Sequence, residues 1–307
     1  SERATEALIA QIKGVNRKGD GEAIKLDNGF AGLVKLGDGA LAMCTDGVGS
    51  KILLAEEMDS IHTVGIDCVA MNTNDLICVG AEPLSFVDYV ALDKPDEKLM
   101  AKIGIGLAEG CKQSNCTLSG GETAILPELV HGFDIAGTSV GYVKQDKIID
   151  GTKISEGNVL IGLKSSGPHS NGYTLIRKLF DGDKELGKKL VEPTRIYVKE
   201  VMNLINQVNV NGIAHITGGG LDNISRINDN FQYVIDKPLP VPSVFNWLQE
   251  KGSIETKEMY RTFNMGMGMI IIVDGDDAEK SVSILGEYAQ IIGSVKSGKG
   301  ISHTAVK

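Results

Sequence analysis

Residues 44–92 read CTDGVGSKILLAEEMDSIHTVGIDCVAMNTNDLICVGAEPLSFVDYVAL and contain two clusters of acids and amides between apolar segments. The apolar run Gly39–Cys44, just before them, predicts a buried strand. It leads into Thr45–Lys51, a turn with two glycines, a carboxylate, hydroxyls and an ammonium. This composition is typical of a phosphate or metal site, although an Asp-Gly pair after a strand can also form an ordinary turn.

The second cluster lies on a predicted helix, Cys68–Val79, which carries Asn72 and Asp75 three positions apart on one face. Asn and Asp are poor residues for a helix interior and are costly to bury without partners, so this pair predicts a ligand. Asp67 either belongs to the same site or caps the helix. Asp75 lies in mid-helix and cannot be a cap.

Length and composition indicate a globular protein. At 307 residues the chain can form two domains of ordinary size, and 42% hydrophobic with 23% charged residues is a globular profile. The longest apolar run, Met265–Val273, is far shorter than the roughly 20 residues that cross a bilayer. We therefore expect no membrane span, and we expect the methionines of this run to lie in the core.

Charge and cysteine content narrow the class of protein. A net charge of −9 argues against a large nucleic-acid surface, which needs clustered Lys and Arg. The five cysteines are odd in number and look like small core residues, so we expect a reducing, cytoplasmic compartment. No charged-then-apolar leader is visible. Cys111 and Cys116 lack a second pair or a nearby His, which argues against zinc.

Strand and helix patterns alternate in both halves of the chain, which favours an α/β fold. The segment Asp150–Thr152 is the predicted joint, giving domains 1–150 and 151–307. Gly104, Gly106 and Gly110 fall inside a predicted helix and indicate close helix packing, not a dinucleotide fingerprint. No P-loop motif occurs, so a bound nucleotide would be held in another way.

Three more glycine turns follow predicted strands. Ser119–Thr123 predicts a double-glycine turn in which Glu122 reaches a metal, with a plain loop as the alternative. Ser165–Tyr173 brings hydroxyls, an imidazole and an amide to a helix N-terminus, which suits an anionic ligand. Ala214–Leu221 places three glycines after His215, which by itself could be a core histidine.

Together these motifs resemble those of the phosphoribosylformylglycinamidine cyclo-ligase family, also called aminoimidazole ribonucleotide synthetases. The matches occur in the family's order and span Gly39 to Gly268. They are Thr45–Lys51, Gly65–Asp67 with Asn74–Asp75, Gly80–Pro83, Ser119–Thr123, Ser166–Tyr173, Ala214–Gly220 and Tyr260–Gly266.

The resemblance implies a fold class of α/β (α+β) with two α/β domains, the first dimerising through its sheet and the second sandwich-like. It implies that ATP binds near the dimer interface with Mg²⁺ and without a P-loop. The implied reaction converts formylglycinamidine ribonucleotide and ATP into aminoimidazole ribonucleotide, ADP and phosphate. The implied partners are this phosphoribosyl substrate and a second copy of the chain.

The resemblance also implies roles for individual residues. The magnesium ligands would be Asp46, Asp75 and Glu122. The catalytic residues would be Asp75, Lys51, His169 and His215, with Lys51 contacting the phosphates. The ATP site would comprise Asp46, Gly47, Gly49, Ser50, Lys51, Asp67, Asn74, Gly120, Gly121 and Glu122. The substrate site would comprise Ser166, His169, Ser170, Asn171, Thr217, Gly218 and Gly219.

Two other functions fit parts of the pattern. Another ATP-using member of the superfamily, such as thiamine-monophosphate kinase, is disfavoured because Ser166–Tyr173 and Ala214–Gly220 would not be expected together. A non-catalytic nucleotide-binding protein is disfavoured because the proposed acids and Lys51 are all present.

Overall fold

The structure is a computed structural model that describes residues 2–12, 14–26 and 29–306. Its strands are β1 (Ala23–Ile24), β2 (Gly32–Leu36), β3 (Gly39–Gly47), β4 (Glu82–Leu92), β5 (Thr117–Ile125), β6 (Phe133–Lys144), β7 (Val159–Lys164), β8 (Val210–His215), β9 (Phe231–Ile235), β10 (Met267–Val273), β11 (Ala289–Ser297) and β12 (Gly300–His303).

The helices are α1 (Glu2–Ile12), α2 (Lys51–Glu57), α3 (Ile61–Cys78), α4 (Glu97–Gln113), α5 (Tyr173–Leu179), α6 (Lys184–Leu190), α7 (Val198–Ile205), α8 (Ser243–Gly252), α9 (Thr256–Thr262) and α10 (Ala278–Leu285). Within the described ranges, no helix combines the length and the hydropathy that a membrane crossing requires.

Two mixed sheets of six strands organise the chain. The first has the order β1-β2-β3-β6-β4-β5, in which only β4 and β5 pair in parallel. The second has the order β12-β9-β11-β7-β10-β8, in which only β12 and β9 pair in parallel. The predicted α/β class is confirmed. The two sheets lie on either side of the predicted joint at 150, which stays a prediction.

Helix α3 forms the centre of the first half and begins seven residues before the predicted start at Cys68. Sixteen of its eighteen residues are buried, including Asp67, Asn72 and Asn74. Asp67 therefore lies in the helix interior, and the alternative in which it caps the helix is wrong. The early turns were missed because His62, Thr63 and Gly65 interrupt the apolar pattern.

Helices α3 and α4 cross at glycines. A methyl group at Gly65 would lie 2.5 Å from the backbone nitrogen of Leu107, and one at Gly106 would lie 2.0 Å from the carbonyl oxygen of His62. A methyl at Gly110 would lie 2.8 Å from the Val69 side chain. The predicted close packing is confirmed for Gly106 and Gly110. It is wrong for Gly104, which faces open space.

This crossing gives a matched pair of substitutions on one helix. We expect Gly106→Ala to lower the free energy of unfolding by about 1–3 kcal/mol, because the helices must separate to admit the methyl group. We expect Gly104→Ala to raise it by up to about 1 kcal/mol through helix propensity. Urea unfolding of both variants measures the difference. Equal effects would show that the crossing tolerates a side chain.

Candidate active site

A cleft of about 470 Å³ lies between the two halves of the chain. The first half contributes Asp46–Gly49, Met71 and the start of β6, and the second contributes Ser170 and Asn171. The cleft brings the first predicted acid turn together with part of the predicted substrate turn. It also brings in Asp134, which the sequence reasoning missed because a lone aspartate in an alternating strand carries no motif.

The Asp46 turn presents a carboxylate and backbone groups to this cleft. Asp46 Oδ1 accepts a hydrogen bond from the Gly47 amide at 2.8 Å, and Asn72 Nδ2 donates to the Asp46 carbonyl at 3.2 Å. Gly49 has φ +66°, which favours glycine. Asp46 is exposed, yet the surrounding protein displaces part of the hydration of its carboxyl and raises the pKa, with the negative charge of Asp75 adding to the rise.

Asp75 contacts two side chains directly, and its side chain is 19% exposed. Its Oδ1 is 2.8 Å from His215 Nδ1, and its Oδ2 accepts a long contact of 3.8 Å from the Cys44 thiol. Asn74 Nδ2 lies 3.4 Å from Nε2 of the same histidine. Asn74 and His215 thus act as positioning residues for the Asp75 carboxylate. These contacts of Asn74 and Asp75 with His215 explain why α3 contains polar residues among apolar ones.

Both predicted catalytic histidines are fully buried. His169 Nε2 accepts from the Ser166 amide at 3.3 Å, and its Nδ1 has no hydrogen-bond partner among the described residues. Burial, together with electrostatic interactions with His215, Lys51 and Arg195, holds the pKa of His169 well below its usual value. Neither imidazole can contact a ligand in this arrangement. In this structure both side chains contact neighbouring protein groups, and the catalytic role of His169 and His215 stays a prediction.

Lys51 does not line this cleft, and its contact with the phosphates stays a prediction. Its ammonium is fully buried, 2.8 Å from Asp67 Oδ2, and donates to the carbonyl oxygens of His169 at 2.8 Å and Glu192 at 2.7 Å. Burial lowers its pKa, and Asp67 opposes that shift. All three hydrogens of the ammonium have acceptors, which leaves none for a ligand.

Asp67 and Asn74, both predicted for the ATP site, also connect the two halves. Asp67 Oδ1 accepts from the Thr194 amide at 2.7 Å and from its hydroxyl at 2.6 Å. Asn74 donates to the Arg195 carbonyl at 2.8 Å and accepts from the Tyr197 amide at 3.0 Å. We call Lys51, Asp67 and Asn74, with the segment 192–197, the interdomain contact. Its polar groups are bonded to protein in this structure, and their part in an ATP site stays a prediction.

Glu122, Gly120 and Gly121 lie apart from Asp46 and Asp75. The predicted double-glycine turn is wrong, because both glycines belong to the edge strand β5. A methyl group at Gly121 would lie 2.4 Å from Asp88 Oδ1, so this glycine makes room for a carboxylate of β4. Strands β6 and β4 separate Asp46 from Glu122. Across residues 2–12, 14–26 and 29–306, no cluster of three or more His, Cys, Asp or Glu could hold a metal.

The two glycine turns of the second half meet near the cleft. Asn171 contributes a buried Nδ2 that has no hydrogen-bond partner in the described part of the chain, and a methyl at Gly218 would lie 3.2 Å from its Oδ1. The hydroxyls of Ser166 and Ser170 form hydrogen bonds with the Pro193 carbonyl and the Thr194 hydroxyl of the interdomain contact. Thr217 closes its turn by accepting from the Gly220 amide at 3.0 Å, and Gly219 has φ +95°.

Comparison with known families matches nearly the whole chain. A family model described as AIR synthase related protein, N-terminal domain, matches residues 29–143, and the corresponding C-terminal domain model matches residues 155–306. A protein of Methanosarcina acetivorans named phosphoribosylformylglycinamidine cyclo-ligase is 45% identical over 96% of this chain and 91% of its own. One of the same name from Methanocaldococcus jannaschii is 44% identical over 96% and 88%.

Solved structures share the fold at lower identity. The structure described as AaThiL complexed with AMPPCP and TMP superposes with a TM-score of 0.71 at 17% identity, covering 99% of this chain and 94% of that one. The hydrogenase maturation protein HypE in complex with ATP gives a TM-score of 0.65 at 18% identity, covering 96% and 87%.

Proposed function

This chain belongs to the AIR synthase family of phosphoribosylformylglycinamidine cyclo-ligases, and from that premise we propose that the cleft between its halves is the active site. The enzyme converts formylglycinamidine ribonucleotide and ATP into aminoimidazole ribonucleotide, ADP and phosphate. The observation that carries the assignment to this cleft is the meeting of the Asp46 turn with Ser170 and Asn171 across it.

The reaction turns a poor leaving group into a good one. The amide oxygen of the substrate attacks the γ-phosphorus of ATP, and ADP leaves. The amidine nitrogen then attacks the activated carbon, loses a proton, and the carbon–oxygen bond breaks to release phosphate. The protein must therefore hold two ends of one substrate together beside a triphosphate, which is a problem of positioning and charge.

The residues of the cleft suit these tasks. Asp46 supplies negative charge on the wall of the first half, and Asp75, behind that wall, is close enough for its charge to raise the pKa of Asp46. The Gly47 to Gly49 backbone can approach phosphates closely. The unpaired amide of Asn171 is a donor on the opposite wall. Asn74 and His215 orient Asp75, so its carboxylate does not have to reorganise when a ligand arrives.

The donor set fits magnesium. Mg²⁺ bound with a nucleotide commonly takes one or two carboxylates and completes its shell with phosphate oxygens and waters. Among the described residues, the Asp46 side chain accepts only from the Gly47 amide, and Asp75 Oδ2 accepts only a long thiol contact. Both keep oxygen lone pairs for a cation. When bound, the metal would neutralise charge developing on the transferred phosphoryl group.

The function is tested by measuring phosphate release from purified protein given ATP, Mg²⁺ and formylglycinamidine ribonucleotide. We expect release only when all three are present, with aminoimidazole ribonucleotide formed in equal amount. Phosphate release that does not depend on the ribonucleotide would contradict the assignment.

We also propose that the chain forms a cytoplasmic homodimer through the outer face of the first sheet. The face opposite α3 exposes large apolar side chains that no described element covers. They are Leu36 (41%), Met43 (39%), Leu84 (48%), Val87 (40%) and Tyr89 (45%). An uncovered sheet face of this kind usually marks an interface. Glu122 pairs in register with Tyr89 on the neighbouring strand, which places it beside this face at the β5 edge of the sheet.

The dimer makes a direct prediction. We expect Val87→Lys to shift the chain from dimer to monomer in light scattering coupled to size exclusion, because two buried ammonium groups would face each other at the centre of the interface. Ile105→Lys is the control, since Ile105 is 64% exposed on α4 away from this face. A monomeric unmodified chain, or a Val87→Lys dimer, would exclude this interface.

A further inference from the structure

A second pocket, of about 350 Å³ and lined by both polar and apolar side chains, lies in the C-terminal half outside the cleft. It is bounded by α9, by the residues after the glycine turn at 217–220, and by the end of β12. The proposed reaction assigns no role to it. The turn lies between the two spaces, because Gly218 adjoins Asn171 of the cleft, where a methyl group on the glycine would lie 3.2 Å from Oδ1, while Leu221 and Asp222 line the pocket.

The pocket collects donors that lack acceptors. Lys257 and Arg261 lie four positions apart on α9, which places them on one face of the helix. Neither forms an ion pair or side-chain hydrogen bond with any described residue, and the same holds for the Tyr260 hydroxyl. Two cations and a phenol converge there with one carboxylate, that of Asp222.

His303 adds a buried donor to this group. The residue is 6% exposed, and its ring packs against the Tyr260 ring at an angle of 44° with the centroids 4.3 Å apart. Nδ1 accepts a hydrogen bond from the Ala305 amide at 3.0 Å, so the proton of the neutral ring is on Nε2. Nε2 has no partner within the described ranges. An unpaired N–H is costly to bury, which indicates that a ligand supplies the acceptor.

We infer that this pocket binds a hydroxylated phosphate ester, such as a sugar phosphate, through Lys257, Arg261, Tyr260 and His303. The phosphate accepts from the two cations, the phenol and Nε2–H, which matches four donors to an acceptor-only group. Asp222 accepts from a hydroxyl of the sugar. The glycine turn at 217–220 then lies directly between this ligand and the cleft.

Two sources share this chemistry. One is the phosphoribosyl end of the enzyme's own substrate, in which case the pocket extends the active site and the inference rests on the proposed function. The other is a separate phosphate ester that binds while the cleft is empty or filled. Gly220 favours a rigid wall between the spaces, since a methyl there would lie 2.0 Å from the Tyr260 carbonyl oxygen.

The test is isothermal titration of the full chain with ribose 5-phosphate, inorganic phosphate and uncharged ribose, without ATP. We expect one site per chain in this pocket for ribose 5-phosphate, weaker binding of phosphate and none of ribose. Lys257→Gln with Arg261→Gln should weaken binding by roughly tenfold or more per cation removed. The control is Lys296→Gln, an exposed lysine that does not line the pocket.

Kinetics of the same variants separate the two sources, and either result supports the site. A raised KM for formylglycinamidine ribonucleotide with little change in kcat indicates the substrate's phosphate. An unchanged KM with weakened ribose 5-phosphate binding indicates a separate ligand. Binding that is equal in the double variant and the control would overturn the inference, as would no binding to the unmodified chain. Because the titration needs no turnover, it remains informative if the proposed function fails.

Discussion

Replacing Asp75 with asparagine is expected to lower kcat by about 100- to 1000-fold, the order of effect seen when a charge-stabilising group is removed from a catalytic site. The substitution removes one negative charge from beside Asp46 and nearly preserves the shape of the side chain. An amide oxygen can still accept from His215 Nδ1, which lies 2.8 Å from the present carboxylate. We therefore expect the fold to be retained.

The comparison needs a second aspartate changed in the same way. Asp146→Asn is suitable because Asp146 is exposed in the first half, and its side chain forms no hydrogen bond or ion pair with described residues. Steady-state rates at saturating ATP and substrate, with unfolding midpoints for both variants, give the answer. An Asp75→Asn enzyme with near-normal kcat would remove Asp75 from the metal and phosphate site.

Replacing Lys51 with methionine is expected to lower the free energy of unfolding by about 3–5 kcal/mol, the cost of leaving one partner of a buried ion pair uncompensated. The loss leaves Asp67 charged and buried, and it removes the donor to the carbonyls of His169 and Glu192. Because Lys51 is in the first half and both carbonyls are in the second, the substitution weakens the interdomain contact.

Urea unfolding measures this effect, and Lys102→Met is the control. Lys102 pairs with Asp59 at the surface, where an ion pair contributes at most about 1 kcal/mol. If Lys51 instead bound the phosphates, the Lys51→Met variant would have the same free energy of unfolding as the unmodified chain and would lose only affinity for ATP. The two outcomes are readily distinguished.

The local patterns of the sequence predicted the fold well. Apolar runs ending in glycine turns located β3 and β7, and the helical stripe after Asp96 located α4, whose first turn Asp96 caps through the Leu99 amide. These features depend on neighbours in the chain, and so periodicity and capping residues report them.

The site was predicted only in part, since residue type does not reveal which partner a polar group will find. Lys51 and Asp67 have the composition of a phosphate site, but their partners are Glu192, 141 positions after Lys51, and Thr194, 127 positions after Asp67. Glu122 fits a metal motif, but strand order places it far from Asp46. Such long-range pairings follow from topology, which the sequence patterns do not specify.

The saturated contacts between the two halves have a further consequence for how reactants enter. If the two halves moved apart, the buried side chains of Lys51, Asp67 and Asn74 would lose their hydrogen-bond partners. Water could replace those partners only after the interface had opened. We therefore expect substrates to enter the cleft through small movements of the two glycine turns at 166–172 and 217–220. The hydrogen bonds between the two halves would stay formed throughout each catalytic cycle.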